Sequence, residues 1–288
     1  PAKRVRPALV LLGHQLFKED CSEIVPLAFV VEAFHNFTLI HDDIMDDAPL
    51  RRGRATVHEK FGINTGILSG DLLLIYVYEY IRRHAPQDKL NKILDCFNKM
   101  AIEVCEGQQM DMDFEKIAEV SLEDYIQMIK FKTAVLLGAS LKIGAIAAGA
   151  TDYDCDLCNE VGINLGLAFQ IQDDYLDIYG DNIKVGKQKA GDIINSKKSA
   201  PYILTLQSLI GSDKENFIHL YESGNIDPIE KVDKVLQVYE KANIPGKIKE
   251  LKHKFQLATL EKLDQISAPE ANKDELLQLI EKLLDRSV

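Results

Sequence analysis

Apolar residues recur at helical spacing along almost the whole chain, and no run alternates apolar and polar residues as a half-buried strand does. The segment 181–196 carries two glycines and little periodicity, which predicts a loop, and Pro49 with Gly53 predicts another. The chain is therefore predicted to be all-α. The predicted helices cover about 7–17, 22–47, 64–84, 89–115, 121–131, 133–149, 153–180, 198–210, 227–241, 244–266 and 270–286.

The length and composition of the chain favour a single large core. The sequence has 288 residues, of which 46% are hydrophobic, and it contains no Pro/Gly/Ser-rich linker and no short-period repeat. We predict one domain over residues 1–288. Because the first residue is Pro1 and not methionine, we expect the natural chain to begin before it.

Charge and cysteine usage exclude several classes of protein. The net charge is −11 and no extended basic face appears, which argues against a nucleic-acid partner. The longest apolar stretch, 134–150, is broken by Lys142 and three glycines, so it predicts a buried helix and no transmembrane segment. The chain has five cysteines, and its one Cys-x-x-Cys pair, Cys155 and Cys158, has no second pair or histidine at zinc-ligand spacing. We therefore expect reduced thiols and a cytoplasmic protein.

Two acidic clusters of the form Asp-Asp-x-x-Asp lie in helical segments, at residues 42–46 and 173–177. On a helix, the first and last aspartate of each cluster share one face, with Cβ atoms roughly 5–6 Å apart. Carboxylates this dense repel one another unless a cation lies between them. Magnesium prefers one or two carboxylates and leaves its other positions to water and phosphate oxygens. The clusters therefore predict a diphosphate that is held through Mg²⁺.

Basic residues accompany both clusters, and together with the clusters they resemble a known family. The sequence has Leu39-Ile40-His41-Asp42-Asp43-Ile44-Met45-Asp46 followed by Arg51-Arg52-Gly53, then Phe131-Lys132-Thr133, and then Phe169-Gln170-Ile171-Gln172-Asp173-Asp174-Tyr175-Leu176-Asp177. Over residues 3–200 this order resembles the trans-type isoprenyl diphosphate synthases of the polyprenyl synthetase family, in particular the short-chain geranylgeranyl and farnesyl diphosphate synthases. The resemblance implies the isoprenoid synthase fold, a helical bundle around a deep central cavity, and a homodimer.

The resemblance also implies a reaction and its metal ligands. The enzyme would condense isopentenyl diphosphate head-to-tail with an allylic diphosphate, through an allylic carbocation, and release diphosphate. Mg²⁺ would be required, with three ions per site. The direct ligands would be Asp42, Asp46 and Asp173. A second set would act through water or orient those ligands: Asp43, Asp174 and Asp177.

By the same resemblance, basic residues divide between two diphosphates. Arg51, Lys132 and Lys187 would contact the allylic diphosphate, and Lys197 would assist. Isopentenyl diphosphate would be held by Lys3, Arg6, His35 and Arg52, although this chain has Ala2 where the family usually has glycine.

The carbocation would be stabilised by oxygen dipoles from Thr133 and Gln170, with Lys132 close by. No general base is obvious, so the released diphosphate is the expected proton acceptor. We expect His41 to be structural and Asp47 to be solvated, and we assign no role to Gln108 or Asp111.

Product length is expected to depend on the residues before the first cluster. A helix rises about 1.5 Å per residue, so Phe37 lies roughly 7–8 Å from Asp42 along the helix. Phe37 beside the small Thr38 would form a partial floor of the product tunnel, which favours a C20 product and then C15. The first cluster also lacks a two-residue insertion that many bacterial farnesyl diphosphate synthases carry. The alternative is that Phe37 is ordinary core and that Tyr76 or Tyr80 sets the limit.

Four other functions are alternatives to a short-chain synthase. A longer-chain polyprenyl synthase would share all the motifs. A terpene cyclase typically has an Asn/Asp–Ser/Thr–Glu second motif, whereas this chain has Asp173, Asp174 and Asp177. A non-catalytic subunit tends to lose an acidic motif. A phosphohydrolase of the His-Asp type would need more histidine ligands than His41.

Overall fold

The computed structural model describes residues 4–180 and 190–285, and helices dominate that part of the chain. The prediction of an all-α chain is confirmed, and every predicted helix is present to within about three residues of its predicted ends. The helices are α1 (Val5–Gln15), α2 (Val25–Met45), α3 (Val57–Phe61), α4 (Ile63–His84), α5 (Leu90–Phe114), α6 (Leu122–Ile129), α7 (Val135–Ala148), α8 (Asp152–Tyr179), α9 (Gly191–Ile194), α10 (Ala200–Ser208), α11 (Gly211–Glu222), α12 (Pro228–Lys241), α13 (Ile244–Gln265) and α14 (Glu270–Leu284).

Some short elements were not predicted. Strands β1 (Leu50–Arg51) and β2 (Arg54–Ala55) form a two-residue antiparallel hairpin where a loop was expected. Its turn places both Arg52 and Gly53 at positive φ, which is a conformation that glycine adopts without steric cost. Helices α3 and α11 were missed as well, and the residues of α9 had been assigned to a loop. These helices bury few side chains, so their periodicity is weak.

Local sequence signals explain several helix starts. The Ser121 hydroxyl accepts a hydrogen bond from the backbone N–H of Asp124, which caps α6. Asp227 caps α12 in the same way, by accepting from the backbone N–H groups of Ile229 and Glu230, and Pro228 follows it at the first helical position.

Helices α6 and α7 are joined without a break, which corrects the interruption predicted near residue 132. A π turn (Lys130–Ala134) connects them and carries Lys132 and Thr133. Glycines allow other helices to approach this turn closely. A Cβ on Gly107 of α5 would lie 2.6 Å from the Phe131 carbonyl carbon, and one on Gly166 of α8 would lie 2.6 Å from the Cα of Ala134. π turns within helices occur frequently at functional sites.

The described chain divides into two compact units. The first comprises residues 1–101, 136–162 and 262–278. In it, Gly13 of α1 packs directly on the backbone of Leu141 in α7, where a Cβ would clash. The second comprises residues 102–135, 163–261 and 279–288, and its core contains a cluster of buried aromatic side chains, namely Tyr125, Tyr202, Phe217, Tyr221 and Tyr239. The single domain stays a prediction.

Two helical segments of the described chain are long and apolar enough to cross a membrane, Ser22–Met45 and Leu122–Ala148. In their most apolar windows, 39% and 67% of the residues are buried, respectively. Core helices of soluble proteins meet the same two criteria, so length and composition alone are weak support for a membrane span.

The close approach at Gly107 yields a stability prediction. Gly107→Ala forces a methyl group against the π-turn backbone and should destabilise the fold by about 1–3 kcal/mol, which lowers Tm by a few degrees. Gly224→Ala is the control, because nothing lies within 4 Å of a Cβ at that position. Thermal unfolding measures both variants, and equal Tm values for the two would contradict the proposed packing.

Candidate active site

The first acidic motif lies at the C-terminal end of α2. Asp42 and Asp43 are in the last turn, and Asp46 is the residue that follows the helix and donates its backbone N–H to the Asp42 carbonyl. Asp43 is buried, Asp42 is partly buried and Asp46 is exposed. The carbonyl end of a helix carries partial negative charge, so three aspartates there are unfavourable without a cation.

The hairpin after α2 brings one cation to this motif. Arg51 Nε donates to Asp43 Oδ1 at 2.5 Å, and Arg51 Nη2 donates to Asp42 Oδ2 at 3.1 Å. Arg51 was predicted to contact a diphosphate, and here it is paired with carboxylates. Asp43 is thereby occupied by the arginine, which agrees with its expected supporting role.

A cationic cluster forms around His35, one of the predicted ligands of isopentenyl diphosphate. Burial and the charges of Arg6, Arg52 and Arg51 lower the pKa of His35 to about 3, so the imidazole is neutral at pH 7. Burial lowers the pKa of Arg6 to about 10, which the Glu32 charge partly offsets and the Arg52 charge reinforces. The buried Nε of Arg6 has no hydrogen-bond partner among the described residues. The structure therefore brings Arg6, His35 and Arg52 into electrostatic contact and leaves a buried donor there for an anion.

The predicted product-length residues lie on α2 below the motif. The Phe37 ring packs against His41, with ring centroids 4.8 Å apart, and against Phe34 at 5.5 Å. His41 also contacts the Ile67 carbonyl of α4 at 3.2 Å, which fits its expected structural role. The Thr38 hydroxyl donates to the His35 carbonyl of its own helix.

The second motif lies near the C-terminal end of α8 and is more buried than the first. The Tyr125 hydroxyl of α6 donates to Asp174 Oδ2 at 2.5 Å, and the backbone N–H of Ala200 donates to the same oxygen at 3.0 Å. Gln170 Nε2 lies 3.3 Å from Asp174 Oδ1. Burial, together with the nearby Asp192 charge, raises the pKa of Asp174 to about 7. Asp174 therefore joins three elements directly.

Asp177 also binds protein groups. Its Oδ2 accepts from the backbone N–H of Asp192 at 3.0 Å, and its carbonyl accepts from the N–H of Ala190 at 2.9 Å. Two carboxylates of the motif thus fasten the segment 190–200. Asp173, which directly precedes Asp174, is partly buried.

The π turn presents the residues predicted to face the carbocation. The Thr133 hydroxyl lies 3.4 Å from Gln170 Oε1, so the predicted pair is brought together. Lys132 Nζ donates to Asp111 Oδ2 of α5 at 2.5 Å. No role was predicted for Asp111. It lies four residues after Gly107 on α5, so it shares the face on which Gly107 contacts the π turn.

The adjacent lysines of the segment 190–200 have different environments. Lys198 Nζ donates to the carbonyls of Phe114 and Ile117 at the end of α5, whereas the Lys197 side chain is exposed. Of the two lysines, Lys197 is therefore the one whose side chain is accessible to a ligand. The other predicted lysines, Lys3 and Lys187, lie outside the described residues.

A group of polar residues near the first motif was not predicted. The side-chain atoms of Asp47, His58 and Glu59 that could coordinate a metal ion lie within 4.8 Å of one another. The three residues line a cavity of about 810 Å³. His58 is buried, and neither ring nitrogen has a hydrogen-bond partner among the described residues. Asp47 is exposed as expected, but it has these neighbours.

The donor sets fit a hard divalent cation. Both motifs offer carboxylate oxygens, the ligands that Mg²⁺ prefers, and both lie near helix C-termini where a positive charge is favourable. The predicted metal ligands are Asp42, which also accepts a hydrogen bond from Arg51, Asp46 and Asp173. Two acidic motifs on a helical scaffold, the first of them paired with Arg51, are typical of enzymes that bind diphosphates through a metal.

The comparison with family models gives the class a name. The model of the family "Polyprenyl synthetase" matches residues 1–241. This chain belongs to the polyprenyl synthetase family, which uses divalent metal ions and transfers prenyl groups. The predicted family is confirmed.

Individual relatives agree with the family. A short chain isoprenyl diphosphate synthase of Methanocaldococcus jannaschii is 41% identical over 224 residues, which are 78% of this chain and 68% of the relative. A geranylfarnesyl diphosphate synthase of Natronomonas pharaonis is 33% identical over 302 aligned residues, which cover 98% of this chain and 84% of the relative. The crystal structure of a geranylgeranyl pyrophosphate synthase is 37% identical, has a TM-score of 0.94 and covers 100% of this chain and 89% of that chain. The isoprenoid synthase fold is thereby confirmed.

The lowered pKa of His35 predicts a dependence of stability on pH. Below pH 6.5 the unfolded chain binds a proton at His35, whereas the folded chain does not until pH about 3. Stability is therefore lost as the pH falls, and at pH 5 the loss reaches up to about 2 kcal/mol. His35→Gln should remove this part of the slope between pH 7 and 5 in urea unfolding. His253→Gln, at an exposed histidine, is the control. If the dependence of stability on pH were unchanged in His35→Gln, burial and the arginines would not lower the pKa of His35.

Proposed function

We propose that this protein is a short-chain trans-prenyl diphosphate synthase that joins isopentenyl diphosphate head-to-tail to an allylic diphosphate. One observation carries the proposal, namely that the first unit contains two chemically different sites for anions. One is the metal-type carboxylate motif with Arg51, and the other is the group of Arg6, Arg52 and neutral His35. A terpene cyclase has one diphosphate substrate and needs one such site.

The allylic diphosphate is assigned to the acidic motifs, with Asp42, Asp46 and Asp173 as ligands of three Mg²⁺ ions. Bound Mg²⁺ neutralises the charge that the leaving diphosphate gains as its bond to carbon breaks. Asp43, Asp174 and Asp177 hold the surrounding backbone and Arg51 in place. The hydrogen bonds described for these aspartates are made to protein groups.

Basic side chains complete the allylic site. Arg51 and Lys132 exchange their carboxylate partners for phosphate oxygens when substrate binds, since the guanidinium fork fits both anions. Lys187 and Lys197 add positive charge. Thr133 and Gln170 direct oxygen dipoles to the carbocation, and their mutual contact fixes their orientation.

The second diphosphate is assigned to Arg6, Arg52, His35 and Lys3. A neutral His35 can donate one hydrogen bond to a phosphate oxygen without needing its own counter-ion. The buried Nε of Arg6 gains a partner when the diphosphate binds. The inorganic diphosphate that the allylic substrate has released then takes the proton that leaves the condensed product.

The direct test is product analysis with purified protein, Mg²⁺, labelled isopentenyl diphosphate and, in turn, dimethylallyl, geranyl and farnesyl diphosphate. We expect an all-trans C20 product. The sequence predicts a C15 product as the next alternative. The similarity to a geranylfarnesyl diphosphate synthase makes a C25 product a further alternative. Elongation to 30 carbons or more would support the longer-chain alternative. Diphosphate release without elongation would support a cyclase or hydrolase.

The metal assignment predicts different effects for neighbouring aspartates. Asp46→Asn should lower kcat at least about 100-fold and raise the Mg²⁺ concentration that gives half-maximal rate, because an amide is a weaker ligand. Asp47→Asn is the matched control, since Asp47 is exposed and asparagine tolerates its positive φ of 48°. Steady-state kinetics against Mg²⁺ distinguish them, and equal losses would refute the assignment of Asp46.

Phe37 is proposed as the residue that limits product length, with Thr38 beside it. Phe37→Ala should lengthen the main product by at least one five-carbon unit, because removal of the ring extends the space before His41. Tyr76→Ala tests the alternative that Tyr76 limits the product length. Tyr76 lies on α4 and is 50% exposed. A longer product from Tyr76→Ala and an unchanged one from Phe37→Ala would transfer the role to Tyr76.

A homodimer is proposed from the surface of α4. Large apolar side chains on this helix are exposed at spacings of three and four residues, so they form one apolar face: Ile67, Leu68, Leu72, Ile75 and Tyr76. Contiguous apolar surface of this kind marks protein interfaces. We also propose one domain and a cytoplasmic location.

The dimer proposal predicts that charge on α4 separates the subunits. Leu68→Glu combined with Leu72→Glu should shift sedimentation equilibrium from twice the chain mass to the chain mass, because two carboxylates would be buried without partners. Ile229→Glu is the control, at a position 73% exposed on α12. A monomeric wild type, or a dimer that survives the double change, would rule out this face.

A further inference from the structure

The segment 190–200 is held in an unfavourable backbone conformation. Ala190 and Ser196 both have positive φ, at 55° and 53°, where side chains other than glycine or asparagine are uncommon. Such conformations persist when surrounding contacts determine them, and they cluster at functional sites. Lys197, the exposed lysine of the segment, directly follows Ser196. The contacts that fix Ser196 therefore fix the direction in which Lys197 leaves the backbone.

One buried tyrosine makes most of these contacts. The Tyr221 hydroxyl of α11 lies 2.7 Å from the Lys197 carbonyl and 3.2 Å from the Asp192 carbonyl, and it donates to them. The Ser196 hydroxyl donates to the Tyr221 carbonyl at 2.8 Å. Tyr221 is 1% exposed, so these hydrogen bonds are not replaced by water when they are lost.

A buried lysine supports the same turn. Lys231 of α12 is 3% exposed, and its Nζ donates to the Ser196 hydroxyl at 2.8 Å while lying 5.6 Å from the centre of the Tyr221 ring. The serine hydroxyl is therefore a donor to one group and an acceptor from another. This network meets the second acidic motif at Asp192, whose backbone N–H donates to Asp177, and it also determines the backbone that carries Lys197.

We propose that Tyr221 is a positioning residue for Lys197, and that its hydroxyl aims the lysine ammonium at the allylic diphosphate. The inference rests on the proposed function, in which Lys197 binds that diphosphate. Tyr221 itself touches no substrate. It acts by holding the Lys197 carbonyl, and through this carbonyl the direction of the side chain.

The chain offers a matched control for removal of the hydroxyl. Tyr202 is fully buried and stacks on Tyr221, with ring centroids 4.4 Å apart. Its hydroxyl has no hydrogen-bond partner among the described residues. Tyr221→Phe and Tyr202→Phe therefore remove the same atom from neighbouring buried rings, but only the first removes hydrogen bonds to the segment.

The experiment is a double-mutant cycle on the dissociation constant of inorganic diphosphate in the presence of Mg²⁺, measured by calorimetry. Lys197→Ala should weaken binding about tenfold or more, as expected for a charge-assisted hydrogen bond. Tyr221→Phe should weaken it about threefold to tenfold, whereas Tyr202→Phe should leave it unchanged. In the Lys197→Ala background, Tyr221→Phe should have no further effect on binding. A merely structural tyrosine would shift Tm in both backgrounds without this dependence on Lys197.

Other outcomes overturn the proposal in distinguishable ways. Equal effects of Tyr221→Phe with and without the Lys197 side chain would mean that the tyrosine does not act through Lys197. An unchanged dissociation constant in Lys197→Ala would remove both the role of Lys197 and that of Tyr221. Coupling between the residues in a protein that fails to elongate any allylic diphosphate would support the positioning role and reject the proposed function.

Discussion

Dense negative charge at the carbonyl ends of two helices is the constraint on which the rest of the site depends. The aspartates of the first motif end α2, and those of the second lie near the end of α8, where the helix itself adds partial negative charge. Arg51 offsets part of this charge by binding Asp42 and Asp43. Under the proposed function, divalent cations and a diphosphate would offset the repulsion that remains between these carboxylates.

The two motifs distribute their carboxylates between chemistry and structure. In the first, Asp43 is buried against Arg51 and orients the guanidinium. In the second, Asp174 binds the Tyr125 hydroxyl and the Ala200 N–H, and Asp177 binds the Asp192 N–H. These bonds hold the segment that carries Lys197. Asp43, Asp174 and Asp177 thus fix the geometry of the groups around them, whereas we propose Asp42, Asp46 and Asp173 as the metal ligands.

The sequence contained enough information for the fold class and the family, and the assignment of the site residues stays a prediction. Long apolar segments such as α2 were located because no strand or loop signal interrupts them, and the two acidic motifs have characteristic flanks. Helix α11 was missed because few of its residues are buried, and Tyr221 was missed with it. The Lys132–Asp111 pair and the Asp47–His58–Glu59 group join different elements, so they depend on tertiary packing that local patterns do not encode. The Pro/Gly pattern marked the hairpin at 50–55 as a loop because two-residue strands are too short to show alternation.

The central claim is that the acidic motifs become an anion site only when a divalent cation is present. Its most direct test is the binding of inorganic diphosphate to the wild-type protein by calorimetry, first in a metal-free buffer and then over a series of Mg²⁺ concentrations. We predict at most weak binding without Mg²⁺, by the basic group of Arg6, His35 and Arg52, and a tighter binding event that appears as Mg²⁺ is added. A binding isotherm that does not change with Mg²⁺ would contradict the account, because it would show that the acidic motifs take no part in binding the diphosphate.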